Sequence, residues 1–527
     1  MKKYLTIMLI CLISCGLIQT TWSQKKELTE KRTLFSKTYL NEDDTYSTVI
    51  SAGPIHYRNQ KGEFEDIQRE ITPSGSEDYD YEITNGFYHV YFKTDNKSEY
   101  PVVFETKDGA NLKMKLTAMA YLDSLSKKFH IIQEINIAPP KIEQNQITYP
   151  NAFEAIDVKY IYGDTKLKEE ILLTQKARES LPDPGKYNIK KEHAYLIFIT
   201  QLDLNGSPAV YANNQNIKKN YFEGYEAIEF KNLKGDVKFF LPSDWAFLKA
   251  ERDTVDEKSM LKIRRFLFHE SGEHLLLSGV KLSQLEEKKA GTVVFDPVVE
   301  VIQPGVSDGC DAFIAGDIGS FSYKNDYNFG GKDFIWVWNY GTHSYKPIRR
   351  TLIKFPLDNI PSGAAVIAAN CSLYCYDVYE YGTGYPATIN LHKIVNDWEE
   401  GNLVGFEGAV SWNERKETID WTQAGGDYAS AITAVVTKDE NDENEWYDWD
   451  VTVLVSDWVS GSASNYGMLL KLEDEQSTTV YQNFKFRSSE YTTVGYRPKL
   501  TVTYTTDVVT TYYIRDSAGN VIATYVK

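Results

Sequence analysis

The stretch Phe334-Ile335-Trp336-Val337-Trp338-Asn339-Tyr340 offers the clearest contact chemistry in this 527-residue chain. Side chains of a strand alternate between two faces. With Ile335 and Val337 turned inward, Phe334, Trp336 and Trp338 stand in a row on the outer face. A row of bare rings is costly in water unless something covers it. Flat rings stack on the C–H faces of sugars, so these rings with Tyr340 form a candidate glycan platform. His343, Tyr345 and Lys346 follow closely and supply hydrogen-bonding groups. The competing expectation is that the rings pack against a neighbouring loop or domain.

Hard cations want several oxygen ligands. Asp308, Asp311 and Asn328 are the candidate set for a structural calcium, the one cofactor the sequence suggests. Asp439-Glu-Asn-Asp-Glu-Asn-Glu445 has similar chemistry, but Asn444 stands where a calcium loop of the EF-hand type needs glycine. It reads as a solvated hairpin loop. His269 and His274 are five apart, which fits neither H-E-x-x-H nor H-x-x-E-H, and the flanking apolar text predicts a hairpin turn there. No G-x-S-x-G elbow, P-loop or glycine-rich dinucleotide turn is present. Carboxylate pairs are too abundant to single out a glycosidase dyad, whose mark is its separation in space. The sequence therefore assigns no catalytic residue, and the expectation is a binding protein rather than an enzyme. A polysaccharide hydrolase or lyase would need two close carboxylates in a cleft.

The elements that must hold these groups are strands. Tyr and Phe, 37 and 24 against 6 Met, suit pleated half-buried surfaces. Short apolar runs such as Tyr88–Phe92, Tyr195–Ile199 and Val237–Leu241 recur between turn residues, and helical periodicity is scarce. The expected fold is all-β: an N-terminal β-sandwich region over 46–300, possible as two sandwiches, then a jelly-roll-like sandwich over 308–505. Asp296-Pro297 and Pro304-Gly305 punctuate the boundary. Eight of the 10 Trp lie beyond it, and that region carries roughly −13 of the net charge of −17. An acidic chain with pI about 5.1 repels phosphate backbones, so nucleic acid is an unfavourable partner.

Residues 1–23 read as a signal peptide, with Lys2 and Lys3 before an apolar run and a small-x-small site at Thr21-Trp22-Ser23. Leu12-Ile13-Ser14-Cys15 offers an alternative, a lipid anchor on Cys15. The expected location is extracellular, secreted or anchored at the outer surface, with no membrane span. Residues 24–45 read as extended. Beyond the signal, Cys310, Cys371 and Cys375 remain. Cys371 and Cys375 share a strand face with Leu373 but stand ~13 Å apart, too far to bridge. Residues 511–527 alternate about Ser517-Ala518-Gly519-Asn520 and read as one hairpin.

Several stretches of the C-terminal half resemble the DNRLRE, or disaggregatase-related, domains, a group that includes alginate-type carbohydrate-binding modules. They are Asp311-Ala-Phe-Ile314, Arg350-Thr-Leu-Ile-Lys-Phe355, Asp397-Trp398-Glu-Glu-Gly401, Asp457-Trp458-Val-Ser-Gly461 and Arg497-Pro-Lys-Leu500. The resemblance implies a jelly-roll-like sandwich, with carbohydrate binding or adhesion in some members. The family's tryptophans Trp398, Trp412, Trp449 and Trp458 read as core rings. Tyr149-Pro-Asn-Ala-Phe153 and Asp157-Val-Lys-Tyr160 resemble, more loosely, the β-rich region of secreted Rhs-type proteins. Tyr513-Ile-Arg-Asp516 with Gly519-Asn520 resembles the opening of an Rhs/YD repeat. One repeat cannot build a shell, so a downstream Rhs-repeat protein is a candidate partner. Together these readings predict a surface protein that attaches to a polysaccharide or cell-surface glycan. The alternative is the structural N-terminal part of an Rhs-type secreted toxin or adhesin with no glycan affinity.

Overall fold

The computed structural model describes residues 26–506, except 206–208, 213–214, 218–220, 233, 250–259, 271–272, 288–290, 297, 301–309, 318–324, 342–346, 379–383, 402–405, 476, 478 and 492; the backbone of 511–515 and 521–526 is also described. The chain is all-β, as the alternation predicts, and is built on three large antiparallel sheets.

Two of these sheets form the N-terminal sandwich. One carries Tyr88–Phe92, Val102–Thr106, Asn111–Asp123, Ala194–Asn205 and Glu273–Lys281; the other carries Gln146–Phe153, Ile156–Tyr162, Lys166–Leu173 and Val237–Leu241. Ile156–Tyr162 shows how sequence makes the layer. Its residues Ile156, Val158, Tyr160 and Tyr162 are buried, while those between them are half-buried on the other face. Rings from the two sheets meet across the interior, Phe198 with Phe295 at 5.0 Å and Phe104 with Phe239 at 5.8 Å between centroids. The histidine motif lies at the predicted hairpin, with His269 opposite His274.

Glu169 faces a small internal cavity of about 40 Å³ beside Tyr160, whose hydroxyl donates to Glu169 Oε1 at 2.5 Å. Burial pushes the Glu169 carboxyl up to about 7, against the Tyr160 hydrogen bond, which favours the anion. The folded pKa thus lies above the unfolded one. Stability from this group is complete below the unfolded value, about 4.5, and is lost as pH rises through 7. The loss should be on the order of 3–4 kcal/mol at ~1.4 kcal/mol per pKa unit. Glu169→Gln keeps the neutral shape and should flatten this slope. Urea unfolding at pH 5 and pH 8 checks it, since parallel slopes for wild type and variant would rule the effect out.

The third sheet forms the C-terminal half. Its neighbours include Phe334–Tyr340 beside Tyr481–Arg487, Ala365–Val378 beside Lys499–Thr505, and Cys310–Asp317 beside Pro347–Lys354. Cys371, Leu373 and Cys375 point into its core as expected, and Cys310, Cys371 and Cys375 are buried free thiols. Trp449 is fully buried, and its indole donates to Ile389 O at 3.3 Å. A nine-residue helix, Thr452–Ser460, covers one part of this core with Leu454, Val455 and Trp458. Gly461 ends it at φ +76°, a conformation glycine adopts without strain.

The N-terminal stretch differs from its sequence reading. Ser36–Leu40 and Tyr46–Ser51 do not lie apart from the C-terminal half; they join its sheet, with Tyr46–Ser51 paired to Lys499–Thr505. The chain enters the C-terminal sheet, builds the N-terminal sandwich, and returns. The predicted terminal hairpin is present in the backbone, Thr511–Arg515 against Val521–Val526. The signal segment and Cys15 lie outside the described residues. No helix among the described residues is long and apolar enough to cross a membrane.

Candidate functional site

The aromatic strand alternates as predicted, but its outer face is not bare. Ile335 and Val337 enter the core. Phe334, only 9% exposed, packs in a separate cluster with Phe313 and Phe329. Trp336 and Trp338 stack on each other with centroids 4.6 Å apart, and Trp336 Nε1 donates to Asn483 Oδ1 at 2.5 Å. Arg349 lies over both indoles, 5.6 and 5.1 Å from their centroids, and Lys485 lies over Trp336. Tyr340 meets Tyr481 edge-on at 4.5 Å. The rings thus cover one another and two cations. His343, Tyr345 and Lys346 lie outside the described residues.

Three more of the region's cations are also taken up internally. Arg350 makes a two-pronged pair with Glu475 at 2.9 and 2.7 Å. Arg487 lies between Tyr376 and Tyr491, and Lys499 lies over Trp446. The loop with Asp439 and Asp442 is exposed, as a solvated hairpin should be.

Acidic groups from three distant places in the chain meet in the C-terminal half. Asp311 comes from the strand Cys310–Asp317, Glu400 from the loop after Trp398, and Glu490 from the turn after Tyr481–Arg487. One carboxylate oxygen from each lies within 4.8 Å of the others. Two glycines let the backbone close here. A Cβ on Gly330 would fall 2.4 Å from Gly401 O and 2.6 Å from Glu400 O, and Gly401 itself sits at φ +71°. Asp311 N donates to Glu400 Oε1 at 2.7 Å, and Ser489 N donates to Asp311 Oδ2 at 2.9 Å. Burial, and then the mutual repulsion of the acids, drives the Asp311 and Glu400 carboxyls well above the usual range. Burial raises Glu490 as well.

Of the expected calcium ligands only Asp311 belongs to this cluster. Asp308 lies outside the described residues. Asn328 braces the site instead, its amide donating to Glu400 O at 2.5 Å and Val410 O at 2.7 Å. Sequence reasoning missed Glu400 and Glu490. Both lie in stretches without a ligand spacing, and only the fold brings them to Asp311.

A second charged junction joins the two halves. Asp164, on the N-terminal sandwich, accepts from Arg69 at 2.6 and 2.9 Å and from Arg497 Nη1 of the C-terminal half at 2.5 Å.

Residues 329–502 match the disaggregatase related repeat domain. The chain is also similar, over 94% of its length, to the tRNA3(Ser)-specific nuclease WapA of Bacillus spizizenii at 24% identity. The tRNA nuclease WapA of Bacillus subtilis strain 168 and the tRNA(Glu)-specific nuclease WapA of Bacillus subtilis subsp. natto each match at 23%. The chain spans 19% of the length of these curated relatives.

These relatives correct three expectations from sequence. Attachment to a polysaccharide or surface glycan is set aside, because proteins similar along nearly the whole chain are named for tRNA cleavage. The expectation of no enzyme falls with it, as does the exclusion of nucleic acid as a partner. The physical reason is that net charge averages over all surfaces of one chain. It says nothing of what the other four-fifths of such a protein touch. The missing catalytic motifs likewise bear only on these 527 residues.

Proposed function

We propose that this chain is the structural β part of an Rhs-type secreted toxin whose activity is of the tRNA-nuclease kind. The observation that carries this is the match to WapA nucleases across 94% of the chain but 19% of their length. Such a match is what a shared carrier region would give. The architecture supports a carrier: two β-regions locked by sheet pairing at Tyr46–Ser51 and by the Asp164 junction. The export signal read in residues 1–23 fits secretion. The hairpin Thr511–Arg515 with Val521–Val526, similar to the opening of an Rhs/YD repeat, is the natural joint to a following repeat shell.

A chimaera tests the reading. Replacing the matching segment of the Bacillus subtilis relative with this chain should give a folded protein that retains tRNA cleavage. Deleting the segment should reduce the yield of active protein at least tenfold. A deletion that leaves yield and cleavage unchanged would defeat the carrier reading. Incubating this chain alone with total tRNA shows whether nuclease chemistry also lies within it.

A further inference from the structure

We propose that Asp311, Glu400 and Glu490 form a binding site for one hard divalent cation, calcium by preference, which pins three separate stretches of the C-terminal half together. Three carboxylate oxygens lie within 4.8 Å of one another. Among the described residues no Lys or Arg nitrogen lies within 4.0 Å of any of them. Lys166 and Arg497 exert only a longer-range pull on the cluster, and the Arg497 guanidinium is spent on Asp164 and on Tyr491 O. Like charges this close cannot all ionise without a counter-charge.

A second observation points to a cation. Asp311 is 1% exposed, and its Oδ1 has no hydrogen-bond partner while Oδ2 accepts from Ser489 N. A buried carboxylate oxygen without a partner is expensive, and a cation among the three carboxylates would supply one. The donor set is all oxygen, which selects hard cations over zinc or copper. Magnesium keeps most of its water shell and wants near-ideal octahedral geometry, whereas calcium accepts irregular sets of carboxylates. A site with one ligand almost wholly buried has little room for a hydrated ion.

The site is also built rather than accidental. Asn328 holds the Glu400 backbone, Gly330 and Gly401 permit the close approach, and the Ser488 and Ser489 hydroxyls hold Glu490. A cation here would be structural, since it ties the strand Cys310–Asp317 to two loops.

The full chain, stripped with EGTA, is titrated with calcium chloride by calorimetry and its bound metal counted by mass spectrometry. The expected result is one calcium per chain, a higher melting temperature with calcium, and magnesium binding at least tenfold weaker. Glu400→Gln with Glu490→Gln should weaken calcium at least a hundredfold. Asp439→Asn with Asp442→Asn, in the exposed loop, should leave binding unchanged. If the Gln variant fails to fold, the wild-type titration decides. No calcium taken up at millimolar concentration, with an unshifted melting temperature, overturns the site. So does calcium binding that survives the Gln pair and vanishes with the loop pair.

Discussion

A fragment beginning at residue 305 will aggregate rather than fold as a monomer, although the domain resemblance and the composition boundary both suggest cutting there. Tyr46–Ser51 pairs along its whole length with Lys499–Thr505, from Tyr46 opposite Tyr504 to Ser51 opposite Lys499. Ser36–Leu40 lies outside it in turn. Cutting these away bares the edge of Lys-Leu-Thr-Val-Thr-Tyr-Thr, a β-prone sequence with one charge, which is a template for pairing with other chains. It also removes Phe35, Ile50 and Ala52 from the core. Losing a buried aliphatic or aromatic side chain costs about 2–5 kcal/mol. Asn359, whose amide donates to Ser36 Oγ at 3.0 Å and Thr38 Oγ1 at 2.7 Å, loses both acceptors. Size-exclusion chromatography with light scattering should find the fragment in soluble oligomers or in the pellet. Fusing residues 26–52 ahead of it through a flexible linker should restore a monomer. A monomeric fragment that melts with the full chain would refute the argument.

That expectation also marks where the sequence is readable. Alternation is local, with a period of two residues, so the inward turn of Ile335, Val337, Cys371 and Cys375 follows from the text alone. The partner of a strand is not local. Thr38 and Thr48 are fully buried and hydrogen-bonded to each other at 2.9 Å, but in sequence Thr38 sits in a polar, extended stretch and Thr48 opens the N-terminal β-region. The same limit hid the candidate site. Asp311 stood out beside Asp308, yet Glu400 and Glu490 reach it only because a strand, a glycine-permitted loop and a tight serine turn converge. Alternation turns Trp336 and Trp338 away from the core, but nothing linear says that Arg349, Lys485 and Phe313 already occupy that face. The indole of Trp336 shows the reason: its donor is satisfied by Asn483, on the adjacent strand but far along the chain.

The second large effect belongs to the junction at Asp164. Its side chain is nearly buried between Arg69 and Arg497, which also reach Pro54 O. Burial alone would raise its carboxyl. The pull of Arg497 and then Arg69 outweighs burial and holds it below the usual carboxylate range. Asp164→Ala would leave two guanidiniums facing each other without an anion, and removing one partner from a buried ionic network costs about 3–5 kcal/mol. Urea unfolding of the full chain should show that loss. Glu134→Gln, which breaks the exposed pair with Lys97, should cost no more than about 1 kcal/mol. The pH dependence gives an independent reading. With its folded pKa depressed, Asp164 contributes stability above its unfolded value, near 4, and that contribution is lost as pH falls through the folded value. Wild type should therefore lose stability more steeply than Asp164→Asn on acidification below pH 4. The difference between the two proteins matters here, because other carboxylates titrate alike in both. If Asp164→Ala unfolds at the wild-type urea concentration, the two halves are held by sheet pairing alone and the charged junction is incidental.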